Sequence, residues 1–190
     1  MIKRWTTLLI IGALLLGSGG YIQVKAVAAQ WMLERAWQNT LKQHSINASS
    51  SQKPWPWADT WPVAKLKLGR DNDMIVLDGV SGNALAFGPG RMHGIGQVEG
   101  GLVVMAGHRD THFRSLKALV LGDEVSIQSE AGVWTAYRVS DISIVDTSTH
   151  MIDMSARDLD QAQLMLVTCY PFDAIQAGGP MRYVVTAEVI

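Results

Sequence analysis

Cysteine is nearly absent from this 190-residue chain: there is one, Cys169. A single thiol excludes an intramolecular disulfide and any Cys-rich zinc knuckle. Charge is also sparse, with charged residues at 17% against the usual ~25%. Neither sign dominates, since 16 Lys+Arg face 17 Asp+Glu for a formal net charge of -1. That balance removes the electrostatic case for a nucleic-acid binder, which presents a basic domain. Apolar residues at 48% exclude a disordered chain and supply a core. The length fits one globular domain with a short appendage.

One long apolar run is present. Trp5 to Ile22 is 18 residues without a charge, preceded by Lys3 and Arg4. At about 1.5 Å per residue it would span about 27 Å as a helix, close to the ~30 Å hydrocarbon core. The basic flank keeps the short N-terminus in the cytoplasm and sends the rest outward. A retained anchor is the expectation; the alternative is a cleaved signal peptide with an A-x-A site at Ala26-Val27-Ala28. Both export the remainder. Val24 to Leu41 then reads as an amphipathic helix, with Val24, Val27, Ala28 and Trp31 on one stripe continued by Leu33, Trp37 and Leu41. Its expected role is to pack on the main domain. A Ser-rich connector (residues 44–53) leads to Pro54-Trp55-Pro56-Trp57, whose indoles are expected to dock on the domain. The division is therefore 1–22 anchor, 23–60 juxtamembrane helix and Trp/Pro connector, and 61–190 main domain.

From Trp61 onward the period is that of β structure. Strands are expected at Val63–Leu68, Met74–Leu77, Ala84–Phe87, Gly101–Met105, Glu124–Gln128, Trp134–Val139, Ile142–Val145, Leu164–Thr168 and Tyr183–Val189. Short helices are expected at Phe113–Leu119 and Leu159–Gln163. Many short strands with little helix between them imply a mainly β barrel or sandwich.

Three places carry chemistry. Cys169 ends an apolar strand just before Tyr170-Pro171, and alternation puts Met165 and Val167 on its face. A free cysteine is often a small buried hydrophobe, but an unpaired thiol in an exported protein meets oxidants, which suggests a use. His108 lies in a Gly-led polar loop after the strand ending at Met105, a setting for acid/base work near neutral pH. His108 and His112 have HxxxH spacing, yet no HExxH glutamate is present, so no metal site is expected. His44, His93 and His150 lie in polar contexts and read as surface residues. Arg182 opens the last strand; beside Cys169 it would stabilise a thiolate or an oxyanion.

These motifs resemble the sortase family, most nearly the subgroup found in Gram-negative bacteria. The resemblance rests on Pro54–Leu66 (PWPWADTWPVAKL), Phe87–Gly90, Gly107–Phe113 (GHRDTHF), Leu166–Asp173 (LVTCYPFD) and Gly178–Val185 (GGPMRYVV), in that order, and covers essentially the whole chain. One departure is Met165, where sortases usually carry Thr in a Thr-Leu-x-Thr-Cys signature. The resemblance implies an eight-stranded sortase-type β-barrel and a membrane-anchored cysteine transpeptidase. Its partners would be a secreted protein bearing a C-terminal Leu-Pro-x-Thr-Gly-like signal and an amine acceptor. By the motif match Cys169 would form a thioacyl-enzyme, His108 would move the proton and Arg182 would hold substrate or oxyanion. Thr168 and Asp110 would orient His108 or line the pocket, and Met165 would shape the groove floor. No cofactor is implied, and no acidic cluster supports calcium. The place implied is the bacterial inner membrane, single-pass, with the catalytic domain outside the cytoplasm. Two other readings stay open: an exported L,D-transpeptidase acting on peptidoglycan, although Thr168 stands where that family has Gly before its Cys, and a non-catalytic tethered β-domain binding an envelope partner.

Overall fold

The computed structural model describes residues 2–44, 52–69, 73–93, 101–154, 162–176 and 178–190. It is built from a long helix α1 (Ile2–His44), strands β1 (Pro62–Leu68) and β2 (Asp73–Asp78), a short helix α2 (Gly82–Phe87), and strands β3 (Gly90–Arg91), β4 (Leu102–Ala106), β5 (Glu124–Gln128), β6 (Trp134–Asp146), β7 (Gln163–Cys169) and β8 (Met181–Val189). A 3-10 turn at Arg114–Ala118 stands where the Phe113–Leu119 helix was expected. The strands close into a barrel in the order β1-β2-β3-β4-β7-β8-β6-β5.

Alternation decides which side chains fill the barrel. Leu66, Val76, Val103, Met105, Val125, Ile127, Tyr137, Leu164, Leu166 and Val185 point inward and form the main buried cluster. β4 and β7 lie side by side and parallel, Ala106 opposite Val167. Both are covered on their outer face too, where Leu102, Val104, Met165, Val167 and Val184 cluster. Burial on both faces is why these two strands read as unbroken apolar runs instead of alternating.

The structure corrects several expectations. The helix and the span expected before it are one element, since α1 runs unbroken past residues 22 and 23. Within Trp5–Ile22 only the side chains of Trp5 and Tyr21 are among the described ones, both exposed. Among the described residues no helix is long and apolar enough to cross a membrane. The buried stripe of α1 is Ala29, Leu33, Ala36, Trp37 and Thr40, whereas Val24, Val27 and Trp31 face out. The described contacts of the helix with the barrel come from its C-terminal half, through Leu33 and Trp37. Trp55 docks edge-on to Phe87 with ring centroids 5.1 Å apart, but Trp57 is 82% exposed.

Ala84–Phe87 is helical because Ser81 caps it, its side chain accepting from Ala84 N at 3.2 Å. The two strands expected within 134–145 are one, with a register shift between Val139 and Asp141 that turns it along the barrel wall. Of the expected helix Leu159–Gln163, residues 159–161 lie outside the described residues and Gln163 opens β7.

Trp37 is the chief tie between helix and barrel. It is fully buried with Leu33 against Ile75, Leu77 and Ala84, and its Nε1 donates to Gln128 Oε1 at 3.3 Å. The half-buried Lys65–Glu34 pair at 3.3 Å joins the same surfaces. Trp37→Ala is therefore expected to cost about 3–5 kcal/mol, read as a lowered denaturation midpoint; a shift below about 1 kcal/mol would mean the helix is not integral to the barrel.

Candidate active site

Three adjacent strands assemble the site. In the β7–β8 ladder Cys169 stands opposite Arg182. On the other side of β7 the parallel ladder ends at Ala106 opposite Val167, so two residues further on His108 leaves β4 at the end where Cys169 leaves β7. The thiol thus has the histidine loop on one flank and the arginine on the other. Cys169 and Arg182 are both half-buried, and His108 is exposed.

The histidine loop is fixed from below. Gly107 N donates to Val167 O at 3.2 Å, and Thr168 Oγ1 donates to Gly107 O at 2.7 Å. Phe113 N closes the turn on His108 O at 2.9 Å, with the Phe113 ring buried in the core. Only glycine fits at 107, because a Cβ there would lie 2.9 Å from that ring. His112, next on the loop, is pushed below the ordinary histidine range by burial and, secondarily, by the charge of His108.

On the opposite flank, Gly178 and Gly179 both take positive φ, 87° and 97°, a turn that favours glycine. This presents Gly179 O to Arg182, whose Nη1 donates to it at 2.7 Å and to Met181 O at 2.9 Å. Tyr170, Phe172 and Tyr183 pack against one another with centroids 5.1–6.4 Å apart. They brace both ends of the loop that joins Cys169 to Arg182. Burial raises the Tyr183 hydroxyl above its ordinary value, with Tyr170 adding to the shift.

The remaining expected residues fall as follows. Met165 is buried on the outer face with Val167, Leu102, Val104 and Val184, and Ile152 and Met154 pack over them from the β6–β7 connection. This is an apolar strip leading along β7 to the thiol. Thr168 points to the other face, as alternation requires, and its hydroxyl is engaged by Gly107 O. It fastens the histidine loop and does not line a pocket with Cys169. Asp110 is exposed. His44, His93 and His150 are exposed, as expected. Among the described residues no group of His, Cys, Asp and Glu has the arrangement of a metal site.

Comparison with known proteins gives a consistent picture. The family model described as the sortase domain matches residues 67–190. Sortase D of Bacillus subtilis (strain 168) is 35% identical over 88 residues, 46% of this chain and 42% of that protein. The match thus spans less than half of that relative's length. In three dimensions the chain is similar to a Clostridium perfringens Sortase D5 transpeptidase, with a TM-score of 0.67 at 19% identity over 86% of this chain and 99% of the other. Sortase A from Corynebacterium diphtheriae follows the same fold at a TM-score of 0.61 and 18% identity, covering 91% and 95%. A pilus-related Sortase C of Group B Streptococcus has a TM-score of 0.59 at 23% identity, covering 68% and 67%.

Proposed function

The chain belongs to the sortase family, and from that premise we propose that it is a cysteine transpeptidase with Cys169 as nucleophile, His108 as acid/base and Arg182 as charge stabiliser. The observation that supports this most is the strand register, with Cys169 opposite Arg182 on one side and beside the histidine-bearing end of β4 on the other. The substrate is a secreted protein with a Leu-Pro-x-Thr-Gly-like C-terminal signal. Its scissile carbonyl reaches the thiol at the end of β7, where the half-buried Cys169 follows the buried run of that strand.

The Cys169 thiolate attacks the Thr carbonyl carbon, and the C–N bond to Gly breaks as the tetrahedral intermediate collapses. His108 gives its proton to the departing Gly nitrogen, then takes one from the incoming amine. That amine attacks the thioester carbonyl, forms the new amide bond and releases Cys169. Arg182 faces the oxyanion in both steps. The Thr168 hydrogen bond to Gly107 O keeps the histidine loop and the thiol strand from sliding apart.

Anchoring through the N-terminal helix is part of the same reading. The outward face of α1 carries Tyr21, Val24, Val27 and Trp31, with Lys25 over the Tyr21 ring at 4.9 Å and Arg35 over Trp31 at 5.5 Å. Aromatic rings beside basic groups suit the interface of a bilayer, just beyond the uncharged run Trp5–Ile22. The inner membrane, with the barrel on the extracytoplasmic side, is the place this implies. Deleting residues 1–22 is expected to move the protein from the membrane pellet to the carbonate-soluble fraction; continued sedimentation would rule out that segment as the anchor. The activity is tested by incubating the full chain with a Leu-Pro-x-Thr-Gly peptide and an amine such as triglycine. The expected product is the acyl peptide joined to the amine, and cleavage at any other bond would reject the assignment.

A further inference from the structure

Next to the histidine, Arg109 is 7% exposed, the one buried arginine among the described residues. Its Nη2 donates to Ala174 O at 2.9 Å and to Gln176 O at 2.7 Å, carbonyls 65 and 67 residues away in the β7–β8 loop. Its Nη1 is buried with no hydrogen-bond partner among the described residues. A buried charged group with one donor unsatisfied is an expensive way to hold a loop. An apolar side chain in the same space would avoid that penalty, so stability alone does not account for an arginine here.

What the arginine reaches is informative. The β7–β8 loop runs from Cys169 to Arg182, and its two halves are gripped by two guanidinium groups. Arg109 holds the first half at Ala174 and Gln176, and Arg182 holds the second at Gly179. We propose that Arg109 is a positioning residue: it locks the β7–β8 loop to the histidine loop, and through that loop sets where the Arg182 guanidinium stands relative to Cys169. The three proposed reacting groups are then one mechanical unit, because the backbone that carries His108 continues directly into the clamp. The position a planar fork holds between two carbonyls is one that a lysine, with a single point of attachment on a flexible stem, reproduces only in part. This proposal rests on the transpeptidase reading for its kinetic consequence, though not for its structural one.

Two measurements on the full chain test it. The first is amide hydrogen exchange without substrate, comparing wild type with Arg109→Met and Arg109→Lys. Arg109→Met is expected to raise exchange at residues 172–180 by about tenfold or more while β4, β7 and β8 keep their protection. Arg109→Lys is expected to fall between it and wild type. Unchanged exchange in the loop would overturn the clamp whatever the enzyme's activity, and an inactive wild type would sink the transpeptidase reading without touching this result. The second is a double-mutant cycle on peptide turnover. Arg109→Met alone is expected to lower kcat by about ten- to a hundredfold with little change in KM, as a displaced charge stabiliser should. In an Arg182→Ala background the same change is expected to cost less than about twofold, because the group it positions is gone. Full additivity of the two losses would show that Arg109 acts independently of Arg182 and would overturn the coupling. Should Arg109→Met fail to fold, Arg109→Lys carries both measurements, with the same pattern at smaller amplitude.

Discussion

Cys169→Ala is expected to yield folded protein that forms no transpeptidation product. The substitution removes one sulfur atom from a half-buried side chain at the last position of β7. No core cluster includes this residue; its inward neighbour on the strand is Thr168, and the apolar strip on its own face ends at Val167. A change of this size at a strand end costs on the order of 1 kcal/mol or less, and the ladder position opposite Arg182 is held by backbone hydrogen bonds that alanine keeps. The chemical loss is expected to be total, because the sequence has no second thiol to take over the attack. Product is read by chromatography and folding by thermal denaturation. A folded Cys169→Ala protein that still joins peptide to amine would exclude covalent catalysis at this position.

Arg182→Lys is expected to lower kcat and kcat/KM together, by about 10²–10³. The figure is that for losing one donor to a developing oxyanion, about 3–4 kcal/mol. The structure explains why charge alone does not suffice. Nη1 is already committed to Gly179 O at 2.7 Å and Met181 O at 2.9 Å, which fixes the plane of the guanidinium and leaves its other nitrogens to meet the substrate. Lysine has one nitrogen: it can hold the loop carbonyls or approach the oxyanion, but not both in a fixed geometry. A loss confined to the transition state lowers both constants equally, whereas a group that only bound the peptide would raise KM with kcat preserved. Near-normal turnover by Arg182→Lys would assign the oxyanion to another donor.

The site was more legible in the sequence than the fold around it. Cys169 stood out because it is the lone thiol in a chain with an export-like leader, at the end of an apolar run stopped by Pro171. The runs Leu102–Met105 and Leu164–Val167 were readable as strands because a parallel pair covered on both faces is apolar throughout. Ala84–Phe87 was misread for the complementary reason: four apolar residues carry no period, and only the cap at Ser81 marks the helix. The continuity of α1 was hidden by the change in composition after Ile22, where the uncharged run gives way to Gln23 and Lys25 although the helix runs on. Which face of α1 is buried depended on where the barrel meets it, and the stripe chosen by spacing began too early. Thr168 and Asp110 were named with the histidine from the motif resemblance; the fold ties the Thr168 hydroxyl to Gly107 O, next to His108, and leaves Asp110 exposed. Arg109 had no local signal at all, since its acceptors lie more than sixty residues downstream, at Ala174 and Gln176.

The central claim is that Cys169 carries the acyl group, and intact-mass spectrometry tests it most directly. The full chain is mixed with a Leu-Pro-x-Thr-Gly peptide in the absence of amine, quenched in acid and weighed, then digested to locate any added mass. The account predicts an increment equal to the peptide up to its Thr residue, located on the fragment containing Cys169, discharged by hydroxylamine and absent from Cys169→Ala. Peptide cleaved between Thr and Gly with no adduct at Cys169 at any time point, or an adduct on a different residue, would contradict it.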